Sequence, residues 1–320
     1  MFNENNIEVF PVIVPTSNEL KSFNFYLVKH NHSLTLIDAG VNTAKCWDAL
    51  QKTLKGHGFT LTDITEVLLT HHHTDHIGLI NRILSVHSIP VYAHPNATLI
   101  LKRDREYRKM RRAFFKKLYA EMGCGEIGER QVASTHNPIN LNEDKKTNGE
   151  IREMATGPFL GFSLLEIPGH APDQVGFYQK ECKWVFSGDL LIEHMPSNAF
   201  IEPDYEGIRT NSVIQQKQSL EKCLSLDVDY VFPGHGIIIE NPRDLIKIRL
   251  KEIDEKADKY LRIIKSKRSI PSEIAKVRFG KQRYEQQFFN VMSEVIGYLD
   301  YLELNGEISK EKKGGIWQYY

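Results

Sequence analysis

The segment Thr70–His76 constrains the fold of this chain more than any other feature of the sequence. It reads Thr-His-His-His-Thr-Asp-His and lies between the apolar run Val67–Leu69 and a helical pattern over Ile77–Val86. Because side chains alternate along a strand, His71 and His73 point to one side at the end of a buried strand. The aspartate and the last histidine of the segment lie in the following turn and face a second position nearby. Imidazole and carboxylate groups bind zinc with bonds of about 2.0–2.2 Å, so the segment predicts a metal site.

Three later segments each place a ligand-capable side chain in a loop directly after a predicted strand. They are Pro168-Gly169-His170, Phe186-Ser187-Gly188-Asp189 and Pro233-Gly234-His235-Gly236. The glycine beside each ligand lets the backbone approach closely. Isolated histidines are usually surface or core residues. Seven ligand positions that follow strands instead predict two metal ions about 3.5–4 Å apart.

Along the chain these ligands follow the order His-x-His-x-Asp-His, then His, then Asp, then His. This order resembles the metallo-β-lactamase superfamily, and the resemblance covers roughly residues 7–240. It implies a four-layer αββα sandwich that binds two zinc ions, with iron or manganese as alternatives. The implied first set is His71, His73 and His170, the implied second set is Asp75, His76 and His235, and Asp189 bridges both. Asp75 is also the expected catalytic residue, which orients the attacking hydroxide.

Departures from the family pattern separate its branches. The second set and Asp189 differ from the true zinc β-lactamases, which carry a cysteine at a second-metal position, so antibiotic hydrolysis is not expected. His73 is not a glutamate, which argues against the flavodiiron branch. The full set is similar to the glyoxalase-II-like group. However, that group has Cys-Gly-His-Glu where this chain has Pro233-Gly234-His235-Gly236, and its glutathione-binding helices do not resemble residues 243–320.

The order of strand and helix patterns predicts two domains. Residues 1–240 alternate strands and helices, which predicts a layered α/β catalytic domain. Within it, residues 95–158 exceed a minimal core and predict an insertion, with one long helix over 96–120 and loop over 121–158. Residues 241–320 predict helices over 243–265, from Pro271 onward and over 285–303. The turn Asn305-Gly306 then leads to strands over 307–309 and 316–320.

This C-terminal outline is that of a winged helix. It resembles a β-lactamase-like subgroup that includes bacterial proteins of unassigned substrate, animal endoribonucleases and fungal carrier-protein thioesterases. The helix over 285–303 is not basic, which favours a packing or homodimer role over nucleic-acid binding.

The overall composition excludes several classes of protein. Forty-one basic residues balance forty-one acidic ones, so no global field attracts nucleic acid or a membrane. Four scattered cysteines form no Cys-x-x-Cys pair, which fits a reducing compartment. No signal peptide and no run of 18 apolar residues is visible, so we expect a cytoplasmic protein without a membrane span.

Two regions carry a strong local positive charge. Lys102–Lys117 has nine basic against two acidic residues, and Lys251–Arg283 has eleven against five. Such regions fit CoA phosphates, a carrier-protein arm, an RNA backbone or simply a solvated helix face. We expect Lys102–Lys117 to lie over the active-site mouth and to attract an anionic part of the substrate. The expected substrate-binding residues are Arg108, Arg111 and Arg112 of that region and His194 and Asn198 of the loop after the bridging aspartate.

The sequence therefore predicts a binuclear zinc hydrolase. A hydroxide shared by two zinc ions attacks the carbonyl of an ester, thioester or lactone, with an acyl thioester preferred. The alternatives are a metal-dependent endoribonuclease that cleaves single-stranded RNA and a nucleic-acid-binding winged-helix protein. The expected partner is a small anionic acyl substrate.

Overall fold

Two β-sheets carry the candidate ligands in a computed structural model that describes residues 2–134, 146–154, 158–159, 161–266 and 269–320. In these residues the first sheet has the order β1-β2-β3-β4-β5-β6-β7. Its strands are β1 Phe2–Glu4, β2 Ile7–Pro15, β3 Ser22–His30, β4 Ser33–Ile37, β5 Glu66–Leu68, β6 Val91–Ala93 and β7 Ile151–Glu153. Strands β1 to β4 are antiparallel, and β4 to β7 are parallel.

The second sheet has the order β13-β12-β11-β10-β9-β8. Its strands are β8 Pro158–Phe159, β9 Phe162–Glu166, β10 Val175–Gln179, β11 Trp184–Gly188, β12 Tyr230–Pro233 and β13 Ile239–Glu240. Strands β11 and β12 are parallel, and the other pairs are antiparallel. A C-terminal hairpin pairs β14 Lys310–Lys313 with β15 Ile316–Tyr319.

The helices cover the outer faces of the two sheets. Those of the first half are α1 Ala44–Gly56, α2 Thr74–Ile77, α3 Ile80–Leu84, α4 Pro95–Leu101, α5 Arg105–Glu121 and α6 Gly125–Ser134. Those of the second half are α7 Ser212–Leu224, α8 Arg243–Lys265, α9 Pro271–Gln286 and α10 Phe288–Leu304. Among the described residues, no helix combines the length and apolar character needed to cross a lipid bilayer.

Three apolar cores define the layers. One lies between the sheets, where Tyr26 and Val28 of the first sheet share a cluster with Phe177, Phe186 and Phe232 of the second. A second cluster packs the other face of the first sheet against α1, α3 and α4. A third packs the other face of the second sheet against α5 and α7 to α10. The expected mixed α/β class is confirmed, and its layers run helix, sheet, sheet, helix.

Three expectations about local structure were wrong. The helix predicted over 96–120 is broken at Arg103, which has a φ of +55°, and Asp104 then caps α5 by accepting a hydrogen bond from Tyr107 N. The region predicted as loop over 121–158 contains α6 and β7, and β7 forms because it adds to the parallel edge at β6. Residues 135–145 and 155–157 of that prediction lie outside the described residues. The strand predicted over 307–309 begins at Lys310 instead, beyond the turn.

Candidate metal centre

The candidate ligands lie at the ends of strands that face one another across the two sheets. His71 lies shortly after β5 of the first sheet, in the stretch that leads into α2. On the second sheet, His170 follows β9, Asp189 follows β11 and His235 follows β12. The sandwich therefore brings residues up to 164 positions apart in sequence to one edge, as the position of each ligand after a strand predicted.

The first expected set is closely grouped. His71 Nε2 and His170 Nε2 each lie 3.0 Å from His73 Nδ1. The three rings are nearly perpendicular to one another, with interplanar angles of 78° to 89°. Three inward-facing nitrogens in this arrangement match the donor set of a histidine-rich zinc site.

The second expected set lies beside the first and is joined to it by Asp189. His235 Nε2 is 3.5 Å from Asp75 Oδ2, and one ligand atom from each of Asp75, His76 and His235 falls within 4.8 Å of the others. Asp189 Oδ1 is 3.3 Å from His76 Nε2, and its Oδ2 is 3.2 Å from His235 Nε2 and 3.5 Å from His170 Nε2. The Asp189 carboxylate thus faces members of both sets.

Hydrogen bonds behind the ligands fix which ring nitrogen faces inward. His170 Nδ1 lies 2.9 Å from the carbonyl oxygen of Asn198, and His235 Nδ1 lies 2.8 Å from that of Ser22. Because a carbonyl only accepts, each Nδ1 carries the proton and each Nε2 presents a lone pair to the cluster. Such outer contacts are what orient histidine ligands in metal sites.

Asp38 supports the segment Thr70–His76 from below. Its Oδ1 accepts a hydrogen bond from Thr70 N at 2.8 Å, and its Oδ2 accepts one from Thr70 Oγ1 at 2.8 Å. The same Oδ2 lies 2.8 Å from His76 Nδ1. Asp38 has a φ of +58°, a region that aspartate and asparagine tolerate better than most residues. No motif in the sequence marked this role of Asp38.

Gly234 leaves room for two of the ligands. A Cβ atom at this position would lie 2.4 Å from Asp189 Oδ1 and 2.5 Å from His76 Cε1. Both distances are far below van der Waals contact. Only glycine therefore lets the loop after β12 pass this close to the cluster.

The cluster has the charge pattern of a cation site. Burial alone would lower the pKa of the His76 imidazole, but the carboxylates of Asp189 and Asp38 raise it well above its ordinary value. Burial would raise the pKa of the Asp189 carboxyl, yet His235 and His76 hold it well below its usual range. Burial and then neighbouring histidines lower the pKa of His71 and His73, which keeps these imidazoles neutral and able to bind a metal.

Unpaired atoms support the fit to metal ions. His76 Nε2, Asp189 Oδ1 and His235 Nε2 are buried and have no hydrogen-bond partner among the described residues. Buried polar atoms are rarely left unpaired, because the loss of their hydration is costly. All three atoms are potential ligands that face one cluster, and bound cations would satisfy them. Imidazole and carboxylate donors suit zinc, and iron and manganese also use them.

An open cavity of about 620 Å³ lies over the cluster. Five of the expected ligands line it, namely His73, Asp75, His170, Asp189 and His235. Its walls combine polar residues with the apolar side chains Leu20, Ile77, Ile100, Phe200 and Phe289. The cavity is large enough for a small-molecule substrate.

The structure brings three of the five expected substrate-binding residues to this cavity. Arg108, Arg111 and Asn198 line it. Arg111 is already paired, because its Nε donates to Glu202 Oε2 at 2.6 Å and its Nη2 donates to Glu202 Oε1. Arg108 is not held by a buried carboxylate, so its guanidinium is more available to a substrate than that of Arg111.

The other two expected residues do not reach the cavity lining. Arg112 is exposed on the outward face of α5. The Nε2 of His194 is held 2.9 Å from the carbonyl oxygen of Glu19, and its ring packs over Gly236. His194 therefore supports the loop that carries His235 rather than the cavity wall.

Two further residues of the cavity were not expected from the sequence. His72 alternates with His71 and His73 along the chain, and its Nδ1 lies 2.6 Å from Asp173 Oδ1. Nevertheless, His72 lines the cavity. Phe200 packs edge-on against His73 and His170, with ring centroids 5.6 Å and 5.1 Å away. No motif marked Phe200, because its role depends on the loop after β11 folding back over the first set.

Comparison with known proteins decides the family. The sequence profile described as the metallo-beta-lactamase superfamily matches residues 22–235. The chain belongs to the metallo-beta-lactamase superfamily. The probable metallo-hydrolase YqjP of Bacillus subtilis (strain 168) is 30% identical over 309 residues, which cover 96% of each chain.

More distant members of the superfamily are also similar. Atrochrysone carboxyl ACP thioesterase of Aspergillus fumigatus is 25% identical over 260 residues, or 81% of this chain and 64% of that one. The crystal structure of the metallo-beta-lactamase family protein TTHA1429 from Thermus thermophilus has a TM-score of 0.74 at 21% identity, with 99% of each chain covered. At that identity the likeness shows the fold alone. The chain is a metal-dependent hydrolase of this superfamily.

Proposed function

We propose that the protein is a binuclear zinc-dependent hydrolase of acyl substrates, with thioesters preferred over esters and lactones. The observation that carries the proposal is the convergence of seven ligand-capable side chains under an open cavity with apolar walls. The likeness to a carrier-protein thioesterase supports an acyl substrate. When bound to these side chains, two divalent ions would polarise a carbonyl group and supply a water-derived nucleophile near neutral pH.

The side chains of the chain have separate tasks in this proposal. His71, His73 and His170 would hold the first ion, and a second set would hold the other, namely Asp75, His76 and His235. Asp189 faces both sets and would contribute a ligand to both ions. Asp75 is half-buried and lines the cavity, so its carboxylate is the group that orients the attacking water.

The basic helix α5 favours a substrate that carries negative charge. Arg108 faces the cavity, and its guanidinium attracts an anionic group beside the acyl carbonyl. A carrier-protein phosphopantetheine arm or CoA has phosphates that fit this position. In our proposal, residues 95–158 form the insertion that carries this helix into a catalytic domain of residues 1–240.

Residues 241–320 form a winged-helix-like part in this proposal, with a packing role or a role in a homodimer. Their helices α8 to α10 contribute to the same core as the second sheet, for example through Tyr260, Met292 and Leu299. This shared core favours packing over nucleic-acid recognition. The cytoplasm is the proposed location, because four free cysteines fit a reducing compartment.

A substrate panel tests the proposed function. Zinc-loaded protein is assayed with acyl-CoA thioesters, 4-nitrophenyl esters, a lactone and short single-stranded RNA. We expect thioester hydrolysis, its loss after chelation, its return with zinc and no activity in Asp189→Ala. RNA cleavage without hydrolysis of any acyl substrate would overturn the proposal in favour of an endoribonuclease.

A further inference from the structure

An aromatic row runs from the first ligand set to the C-terminal helices. Phe200 contacts the rings of His73 and His170 by its edge. Phe289 of α10 stacks on Phe200, with a centroid distance of 5.4 Å and an interplanar angle of 26°. Phe115 of α5 follows at 5.9 Å from Phe289. The row therefore begins at the reacting end of the cavity and ends in the apolar core.

Phe200 and Phe289 keep part of their surface open to the cavity. Both are half-buried, and both line it. Ile77 and Ile100 also line the cavity, so its apolar surface extends beyond the two rings. Apolar surface that faces an open cavity gains free energy when a ligand removes it from water. The wall is thus suited to an apolar group that is attached close to the ligand cluster.

The charged lining completes the geometry. Arg108 and the Arg111–Glu202 pair line the same cavity as the aromatic wall. A substrate whose carbonyl lies at the ligand cluster would contact the cavity wall with an anionic part and an apolar part. The anionic part suits Arg108, and the apolar part suits the aromatic wall.

We propose that Phe200 and Phe289 form the subsite for an apolar acyl group of hexanoyl size or larger, so that a C-terminal helix sets the acyl specificity of the enzyme. The inference rests on the proposed acyl hydrolysis and names the class of acyl group. Acetyl is too small to reach from the cluster along both rings, and a polar acyl group would lose its hydration against them without compensation.

Binding of thioether analogues tests the subsite without any turnover. S-hexyl-CoA and S-ethyl-CoA carry no scissile carbonyl, so their dissociation constants can be measured on the zinc-loaded enzyme by calorimetry. We expect wild type to bind S-hexyl-CoA about tenfold more tightly, since each buried methylene group adds to the affinity. Phe289→Ala should lose most of this preference, and Phe289→Leu should keep most of it because its side chain remains apolar.

Phe279→Ala is the matched control. Phe279 lies on α9, is half-buried like Phe289 and packs against the same core, but it is not among the cavity-lining residues. Its substitution should leave the preference unchanged even if the melting temperature falls. The subsite is refuted if wild type shows no preference, or if Phe289→Ala and Phe279→Ala have equal effects.

Two other outcomes separate the inference from the proposed function. A preference for S-hexyl-CoA that depends on Phe289, in an enzyme that hydrolyses none of the thioesters, esters and lactones of the substrate panel, would support the subsite and overturn the proposed reaction. If oligouridine competes for the cavity, and Phe289→Ala weakens oligouridine binding alone, the rings stack on bases and the acyl subsite is wrong.

Discussion

Asp38 is not among the residues that line the cavity, yet it holds two parts of the ligand segment. It accepts hydrogen bonds from Thr70 and lies 2.8 Å from His76 Nδ1. We predict that Asp38→Asn weakens zinc binding by roughly 10–100-fold, which is typical for the loss of a carboxylate behind a histidine ligand. Asparagine tolerates the positive φ, so the change removes charge without adding strain.

Competition with a chromophoric chelator measures this affinity. Asp48→Ala is the control, because Asp48 is exposed on α1 and lies away from the cluster. Unchanged zinc affinity in Asp38→Asn would show that the Asp38 carboxylate does not contribute to zinc binding by His76.

Gly234 leaves no room for an added carbon beside the ligands. A methyl group there would lie within 2.5 Å of both Asp189 and His76. We predict that Gly234→Ala displaces one of these ligands and lowers the zinc content of the purified protein. Gly56→Ala is the matched control, since a Cβ at Gly56 would meet nothing within 4 Å. Equal zinc content in the two variants would show that the loop after β12 shifts without cost.

At the scale of the elements, helix α5 presents its arginines to different partners. Arg108 faces the cavity, Arg111 pairs with the buried Glu202, and Arg112 is exposed. The sequence predicted all three as one subsite for an anionic group, because charge alone does not reveal which face of a helix packs. Of the three, we expect only Arg108 to attract the substrate by its charge. Arg111 also holds the loop that carries Glu202.

We predict that Arg108→Ser raises the Michaelis constant for an acyl-CoA roughly two- to fivefold at low salt, the size expected for an exposed charge pair. The effect should fade as salt is added, because screening acts over about 8–10 Å. The turnover number should stay the same. Lys116→Ser removes an exposed charge from the same helix as a control. An equal salt dependence in Arg108→Ser and Lys116→Ser would show that α5 acts through its total charge and not through Arg108.

Helix α10 carries a buried acid that should make stability depend on pH. Asp300 Oδ1 accepts a hydrogen bond from Arg209 Nη2 at 2.7 Å. Burial raises the pKa of Asp300 to about 6, although Arg209 opposes the shift. The unfolded carboxyl loses its proton near pH 3.9. Between these values the folded chain holds a proton that the unfolded chain has lost, so Asp300 makes stability fall as pH rises from about 4 to 6.

We predict that Asp300→Asn removes this trend. Relative to the variant, the wild type should lose about 2–3 kcal/mol of unfolding free energy across the window and change little above it. Urea unfolding of both proteins at several pH values measures the difference, and effects of the metal ligands cancel in the comparison. Parallel stability curves would place the pKa of Asp300 near its ordinary value.

At the scale of the whole molecule, the sequence predicted best what depends on local order. The ligands could be found because each follows a strand, and both sheets place the ends of these strands at one edge. The break at Arg103 could not be found, since nothing but the tertiary fold favours a positive φ there. The same holds for Phe289, whose contact with Phe200 joins residues 89 positions apart in sequence.

The domain boundary near residue 241 stays a prediction, and the helices that follow it lie against the candidate site. A change in composition after Pro242 predicted a separate unit. In the structure, Arg249 of α8 is buried, and its Nη2 donates to the carbonyl oxygens of Ile192 and Glu193, close behind Asp189. These helices therefore contact the segment that carries a candidate ligand, and through Phe289 they also line the cavity.

In our proposal, one chain holds two metal ions through seven side chains. The most direct measurement is elemental analysis of the protein after chelation, reloading with zinc and removal of free metal. We predict two zinc ions per chain in the wild type and fewer in Asp189→Ala, whose carboxylate faces both ligand sets. One zinc ion or less per wild-type chain, in protein that remains folded, would contradict the two-metal centre.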